Sequence, residues 1–278
     1  MDLAADLELF RMSDAAGALP RLGGMARPNG VVIVSERYWA FASTDGGLRE
    51  GTISAHTTRF ARIPLLRGFL QLAASVGPLL GGRGVARRGE RAFLFAAMLA
   101  PLLFTALPSR WELPAGLTMT VVLLAWLFRG RTFRLHGAEH RAIAAAEAGS
   151  LTATWAGEAR PTRFSPRCGT NFAALALPVT ALVDRAWPYG FAPAAMSFLL
   201  ALLSLGVSME LWKMVQHPSG LLRGFLIPGL ALQRLTTREP ALADTRIALR
   251  AVASVLRREA EPEGAAGVDP AAPLAPAL

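Results

Sequence analysis

Polar and apolar positions along the chain fall into three regimes. The first 28 residues mix the two without a period and are expected to be irregular. From Gly30 the runs Val31–Val34 and Tyr38–Ala42 are β-branched and aromatic, and Asp45-Gly46 follows them. That pattern predicts a hairpin, with a third strand near Leu48–Ser54. A unit of about thirty residues needs something to pack on.

Long apolar blocks come next. Residues 64–82 are apolar but broken by Arg67, Gly68, Gly77 and Pro78, which predicts an interfacial or dipping helix. Arg83, Arg87, Arg88 and Arg91 then form a basic stop. Four uncharged or nearly uncharged stretches follow, at 92–108, 113–128, 171–187 and 189–215. The connections 109–112 and 188 hold only turns, so the stretches pair as two antiparallel hairpins. The fold class expected is a mainly α membrane protein. It has about four transmembrane helices as two hairpins, a small N-terminal β unit and an interfacial helix. A large soluble protein with apolar core helices is the alternative.

The corresponding segments are 1–60, 61–91, 92–128, 129–170, 171–215, 216–257 and 258–278. They are the β unit, the interfacial helix with its basic stop, the first hairpin, a polar loop, the second hairpin, a C-terminal segment and a tail. The C-terminal segment carries a polar helix near Ala241–Arg257. The tail, rich in alanine, proline and glycine, is expected to be disordered.

Charge orients this arrangement. The net charge is +9, and every basic residue except Lys213 is arginine. Seven arginines lie within 129–170, while Arg110 and Arg185 lie on the opposite side. The basic side, and both termini with it, is therefore expected in the cytoplasm, against an inner membrane. Arginines that flank apolar blocks argue for a bilayer as partner and against nucleic acid. The N-terminus is acidic and has no secretory leader pattern.

Candidate chemistry centres on His136-Gly-Ala-Glu139-His140. On a helix, residues four apart share a face, so both imidazoles can reach one ion. Glu139 can serve as general base toward water. The alanine-rich run 142–148 closing at Gly149 supports such a helix with a glycine stop. The alternative is a polar helix whose histidines meet lipid phosphates or water. Glu210 and Cys168 are candidates for a third ligand, since both fall at the same membrane face as His136. Against them stand an i, i+3 pair of Glu210 with Lys213 and a purely packing role for the only cysteine. Glu147 shares the helical face but lies too far along the axis to bind the same ion. Asp184 and Arg185 are expected to pair at the opposite interface, and His56 and His217 to be surface residues.

Certain stretches resemble a known family: LHGAEHRAI at 135–143, SPRCGTNF at 165–172, SMELWK at 208–213 and PGLALQRLTTREP at 228–240. The glycines Gly23, Gly24 and Gly30, the pair Arg67-Gly68 and the run Glu147–Thr152 fit as well. The chain resembles the YqhQ-like bacterial membrane proteins, which carry the domain of unknown function 1385 and are catalogued as predicted metal-dependent enzymes. The resemblance spans about Gly23 to Leu256. It departs at Met25, Asn29, Met209 and especially Ser165, where the family usually has a histidine. If that histidine is a ligand in the family, this chain lacks it.

The expectation is a metal-dependent hydrolase acting at the cytoplasmic interface, with a divalent metal, zinc foremost, as cofactor. His136, His140, Glu210 and Cys168 are the candidate ligands. Its substrate would be a lipid, an envelope precursor or a membrane-anchored peptide. A non-catalytic scaffold with a structural metal is the alternative. A transporter using Glu210 is a further one, weakened by the few spans and the lack of an internal repeat.

Overall fold

The computed structural model describes residues 3–17, 19–53, 85–86, 88–104, 107–186, 194–216 and 224–261. The expected interfacial helix at 64–82, His56, His217 and the tail beyond 261 lie outside them.

The chain opens with a helix, α1 (Leu3–Ala15), and the expectation of an irregular start is corrected. Its inward stripe is Asp6, Phe10 and Ser13, spaced i, i+4, i+7. Two of those three are polar, so no apolar period marked the helix. Asp6 is buried against the guanidinium of Arg257 instead.

Four strands follow as an antiparallel meander: β1 (Gly23–Arg27), β2 (Gly30–Val34), β3 (Tyr38–Ser43) and β4 (Leu48–Thr52). The Asp45-Gly46 turn joins β3 to β4 as expected, with Gly46 at φ 97°. β1 is the additional strand. It holds two glycines and an arginine, a composition that does not mark a strand. Side chains alternate across the sheet with the two-residue period of a strand. Val31, Ile33, Ala40 and Ala42 face one way, and Val32, Trp39 and Phe41 the other.

The first face is covered by two helices from distant parts of the chain. These are α4 (Thr132–Glu147) and α9 (Leu242–Ala260). Leu135, Ala138 and Ala142 of α4 and Leu249, Val252, Val255 and Leu256 of α9 join Phe10, Val31 and Ile33 in one core. Each fully buried Leu, Ile or Phe contributes roughly 1.5–3 kcal/mol. The N-terminal unit, the polar loop and the C-terminal segment are therefore one packed body.

Short α5 (Leu151–Ala156) follows Gly149, which ends α4 at φ 59° as the sequence predicts. The first turn of α5 is capped from α1, where Asp14 accepts from the Leu151 and Thr152 N–H groups at 2.8 and 2.9 Å.

The four apolar stretches each fall on a helix: α2 (Arg88–Phe104), α3 (Ser109–Leu127), α6 (Gly169–Ala186) and α7 (Ala194–Gln216). α2 packs on α3 and α6 on α7, with Phe93 against Trp126 and Phe172 against Trp212. Among the described residues one stretch, Leu199–Gln216, is long and apolar enough to cross a membrane. Pro114–Leu127 and Gly169–Val183 are apolar but shorter. α2 begins with Arg88, Glu90 and Arg91, which shorten its apolar part. Leu99, Leu103, Val121, Leu177, Leu182 and Leu199 point outward from these helices. The helices are tied to the packed body by ion pairs, with Glu90 accepting from both Arg27 and Arg129.

Candidate metal centre

His136 and His140 stand one turn apart on α4, with ring centroids 4.5 Å apart and planes inclined by 67°. Each ring is fixed by a backbone carbonyl. His136 Nδ1 lies 2.9 Å from Thr236 O, and His140 Nδ1 lies 2.7 Å from Arg163 O. A carbonyl only accepts, so each Nδ1 carries the proton and each Nε2 keeps its lone pair. Outer partners of this kind orient metal-ligating histidines.

Cys168 completes the group. Its Sγ lies 3.2 Å from His136 Nε2 and is buried. The residue sits directly before α6. The Thr170 hydroxyl and N–H both donate to Sγ, at 3.2 and 3.5 Å. One ligand atom from each of His136, His140 and Cys168 lies within 4.8 Å of the other two. Two imidazoles and a thiol are a donor set suited to zinc, and the residues present fit a divalent ion.

The segment that carries Cys168 is held from α8 (Ile227–Thr236). Gln233, fully buried, donates from Nε2 to Ser165 O at 2.7 Å and accepts from Ser165 N–H at 2.9 Å. Asn171 donates to the carbonyls of Ser165 and Pro166. Beyond α8 the chain lies along α4, where Arg238 N–H donates to Phe133 O at 2.9 Å. A Cβ built on Gly137 would collide with the Arg238 carbonyl, so that approach requires glycine. Glu239 then accepts from Arg141 at 2.6 Å and Arg163 at 2.9 Å. The Arg141 hydrogen bond foremost holds the Glu239 carboxyl below its usual range.

Glu139 points toward the sheet. It is 5% exposed, packs on Gly24 and accepts a hydrogen bond from the Ala26 N–H of β1. Burial raises its carboxyl to about 7, offset in part by the nearby His136 and by that hydrogen bond. Glu210 does not join the three donors. Its carboxylate stands 3.9 Å from Lys213, the i, i+3 neighbour on α7. Glu147 pairs with Arg167, the residue before Cys168. At position 165, Ser165 Oγ accepts from Arg167 N–H at 3.2 Å, and the three donors meet without a histidine there.

Sequence reasoning missed Thr170, Gln233, and the carbonyls of Thr236 and Arg163. Thr170 and Gln233 lie inside the stretches 165–172 and 228–240, which was the available signal. Backbone carbonyls carry none.

Fold and site together define a mainly helical protein in which an α/β body joins two helix pairs and bears a His/His/Cys donor cluster. The family described as "Protein of unknown function (DUF1385)" matches residues 91–258, more than half of the chain, and the chain belongs to it. That match includes α4, Cys168 and α8. No curated protein and no solved structure matches.

Proposed function

We propose that the protein is a zinc-dependent hydrolase of the bacterial inner membrane, working at the cytoplasmic surface. The observation that carries this reading is the convergence of His136, His140 and Cys168, with both Nε2 lone pairs freed by carbonyls on Nδ1. Among the described residues three protein donors meet, and a tetrahedral ion held by them would keep one position for water or substrate, whereas structural zinc sites take four. Zinc bound there supplies Lewis acidity, acidifying water and polarising a carbonyl or phosphoryl oxygen.

The chain's own groups do the rest. Thr236 and Arg163 hold the imidazoles in the required tautomer. Thr170 orients the sulfur of Cys168 through its hydroxyl. Glu139, next to His140 on α4, takes the proton from water and returns it to the leaving group. The four apolar helices α2, α3, α6 and α7 cross the bilayer as two hairpins and set the site at the headgroup level, where an amphiphilic substrate presents its polar end. α1 and α9 contribute to the packed body, and in this reading both termini are cytoplasmic.

Metal content tests the first step. Purified wild-type protein should carry close to one zinc per chain, and the His136→Ala/His140→Ala variant far less. Equal, sub-stoichiometric metal in both removes the hydrolase.

One observation favours a second reading, a scaffold with a structural metal. Glu139 is buried and tied to the Ala26 N–H, as a structural carboxyl would be. Glu139→Gln separates the two. A hydrolase loses turnover while keeping metal and fold, and a scaffold keeps its cellular role.

A further inference from the structure

A cavity of about 360 Å³ lies where the end of α1, the segment entering β1, the end of α4 and the residue before Cys168 meet. Its charged lining is Asp14, Arg21, Glu147 and Arg167. Two are anionic and two cationic, and they differ in how they are engaged. Asp14 is occupied by the two N–H groups at the start of α5. Glu147, half exposed, pairs with Arg167. Arg21 donates to a neutral acceptor, Gln216 Oε1, at 2.6 Å. Two guanidinium groups thus face one cavity with a single carboxylate committed to them.

The location narrows what fits. Gln216 is the last residue of α7 and of the stretch Leu199–Gln216 that is long enough to cross a bilayer. Arg21 is therefore fastened to the end of that helix, the depth at which lipid phosphates lie. Guanidinium forks bind phosphate through paired charge-assisted bonds. The volume is that of a small-ligand site. Arg167 is next in sequence to Cys168, so a phosphate held here brings the rest of its molecule beside the donor cluster.

We infer that the Arg21–Arg167 cavity binds a phosphate group, which makes the substrate class phosphate-bearing. The catalytic meaning of this site rests on the hydrolase reading, but its binding does not. Two sources share the chemistry, a lipid headgroup and free phosphate.

The test is calorimetric titration of the full chain in neutral detergent with inorganic phosphate and with short-chain phosphatidic acid, metal content being measured on the same samples. Phosphate binding should weaken about tenfold in Arg21→Gln, roughly 1.4 kcal/mol, and recover in part in Arg21→Lys with metal content unchanged. Phosphatidic acid binding well above phosphate supports the lipid source, and equal affinities support free phosphate. No binding of either, or binding indifferent to both Arg21 substitutions, overturns the site. Full metal without phosphate binding removes this inference alone. Arg21-dependent binding in a protein that takes no metal leaves the cavity standing and removes the hydrolase.

Discussion

His136 Nε2 lies 3.2 Å from Cys168 Sγ, a contact between residues 32 positions apart. The histidine is carried by α4 and the cysteine by the start of α6, and neither helix alone holds more than part of the donor set. The contact predicts a spectroscopic signature. Cobalt-loaded wild-type protein should show a thiolate-to-metal charge-transfer band. Cys168→Ser should abolish that band and keep the weaker bands of a histidine-bound ion. Thr170→Val, which removes the hydroxyl donor to Sγ, should keep the band and lower metal affinity by about 10–100-fold. A band that survives Cys168→Ser would rule out the thiol as ligand.

Gly137 is the point at which α4 and the segment after α8 touch backbone to backbone. Gly137→Ala should force them apart and destabilise the protein by about 1–3 kcal/mol. Arg238 lies two residues beyond Thr236, so the displacement should also loosen the carbonyl that holds His136. Denaturation in mild detergent, paired with a zinc titration, checks both effects. Unchanged stability would mean that the approach is not close.

Gln233→Leu removes both hydrogen bonds to the Ser165 backbone while keeping the side chain's bulk. The expected loss is about 1–3 kcal/mol, because a half-buried N–H and carbonyl lose their partner. Metal affinity should fall along with it, since Ser165 begins the turn that presents Cys168. Cobalt spectra of Gln233→Leu should show the charge-transfer band weakened while histidine ligation persists.

Glu239 gives a pH dependence whose sign is determined. Its carboxyl is held below the usual range, by Arg141 first and then also by Arg163. A carboxyl whose folded-state pKa is depressed contributes stability above its unfolded pKa. That contribution is lost as pH falls through the folded value. Wild-type protein should exceed Glu239→Gln in stability near neutral pH, and the difference should shrink on acidification. Denaturation series from pH 7 downward measure it, and a gap that stays constant with pH would remove Glu239 as its source.

Much of the site's local geometry was legible without coordinates. The spacing of His136 and His140 gives one helical face through the period of 3.6 residues, and Gly149 gives the helix stop through its left-handed backbone. The Asp45-Gly46 turn was legible from its turn chemistry, and the apolar helices from their long runs without charge. α1 and β1 were not. Their buried positions include Asp6, Ser13 and Arg27, polar residues accommodated through partners far along the chain, such as Arg257 for Asp6 and Glu90 for Arg27.

By itself, then, the sequence determined which residues share a helix face, where apolar helices run and which three stretches hold candidate donors. Only the tertiary structure decided that residues 3–53, 132–156 and 242–260 form one core, that Cys168 rather than Glu210 meets the histidines, and which nitrogen of each ring is free. The physical reason is range. Periodicity and turn chemistry act within a few residues. The choice of third donor depends instead on how Gly137 and Gln233 let distant backbones approach, and the ring tautomers depend on carbonyl oxygens that every residue type carries alike.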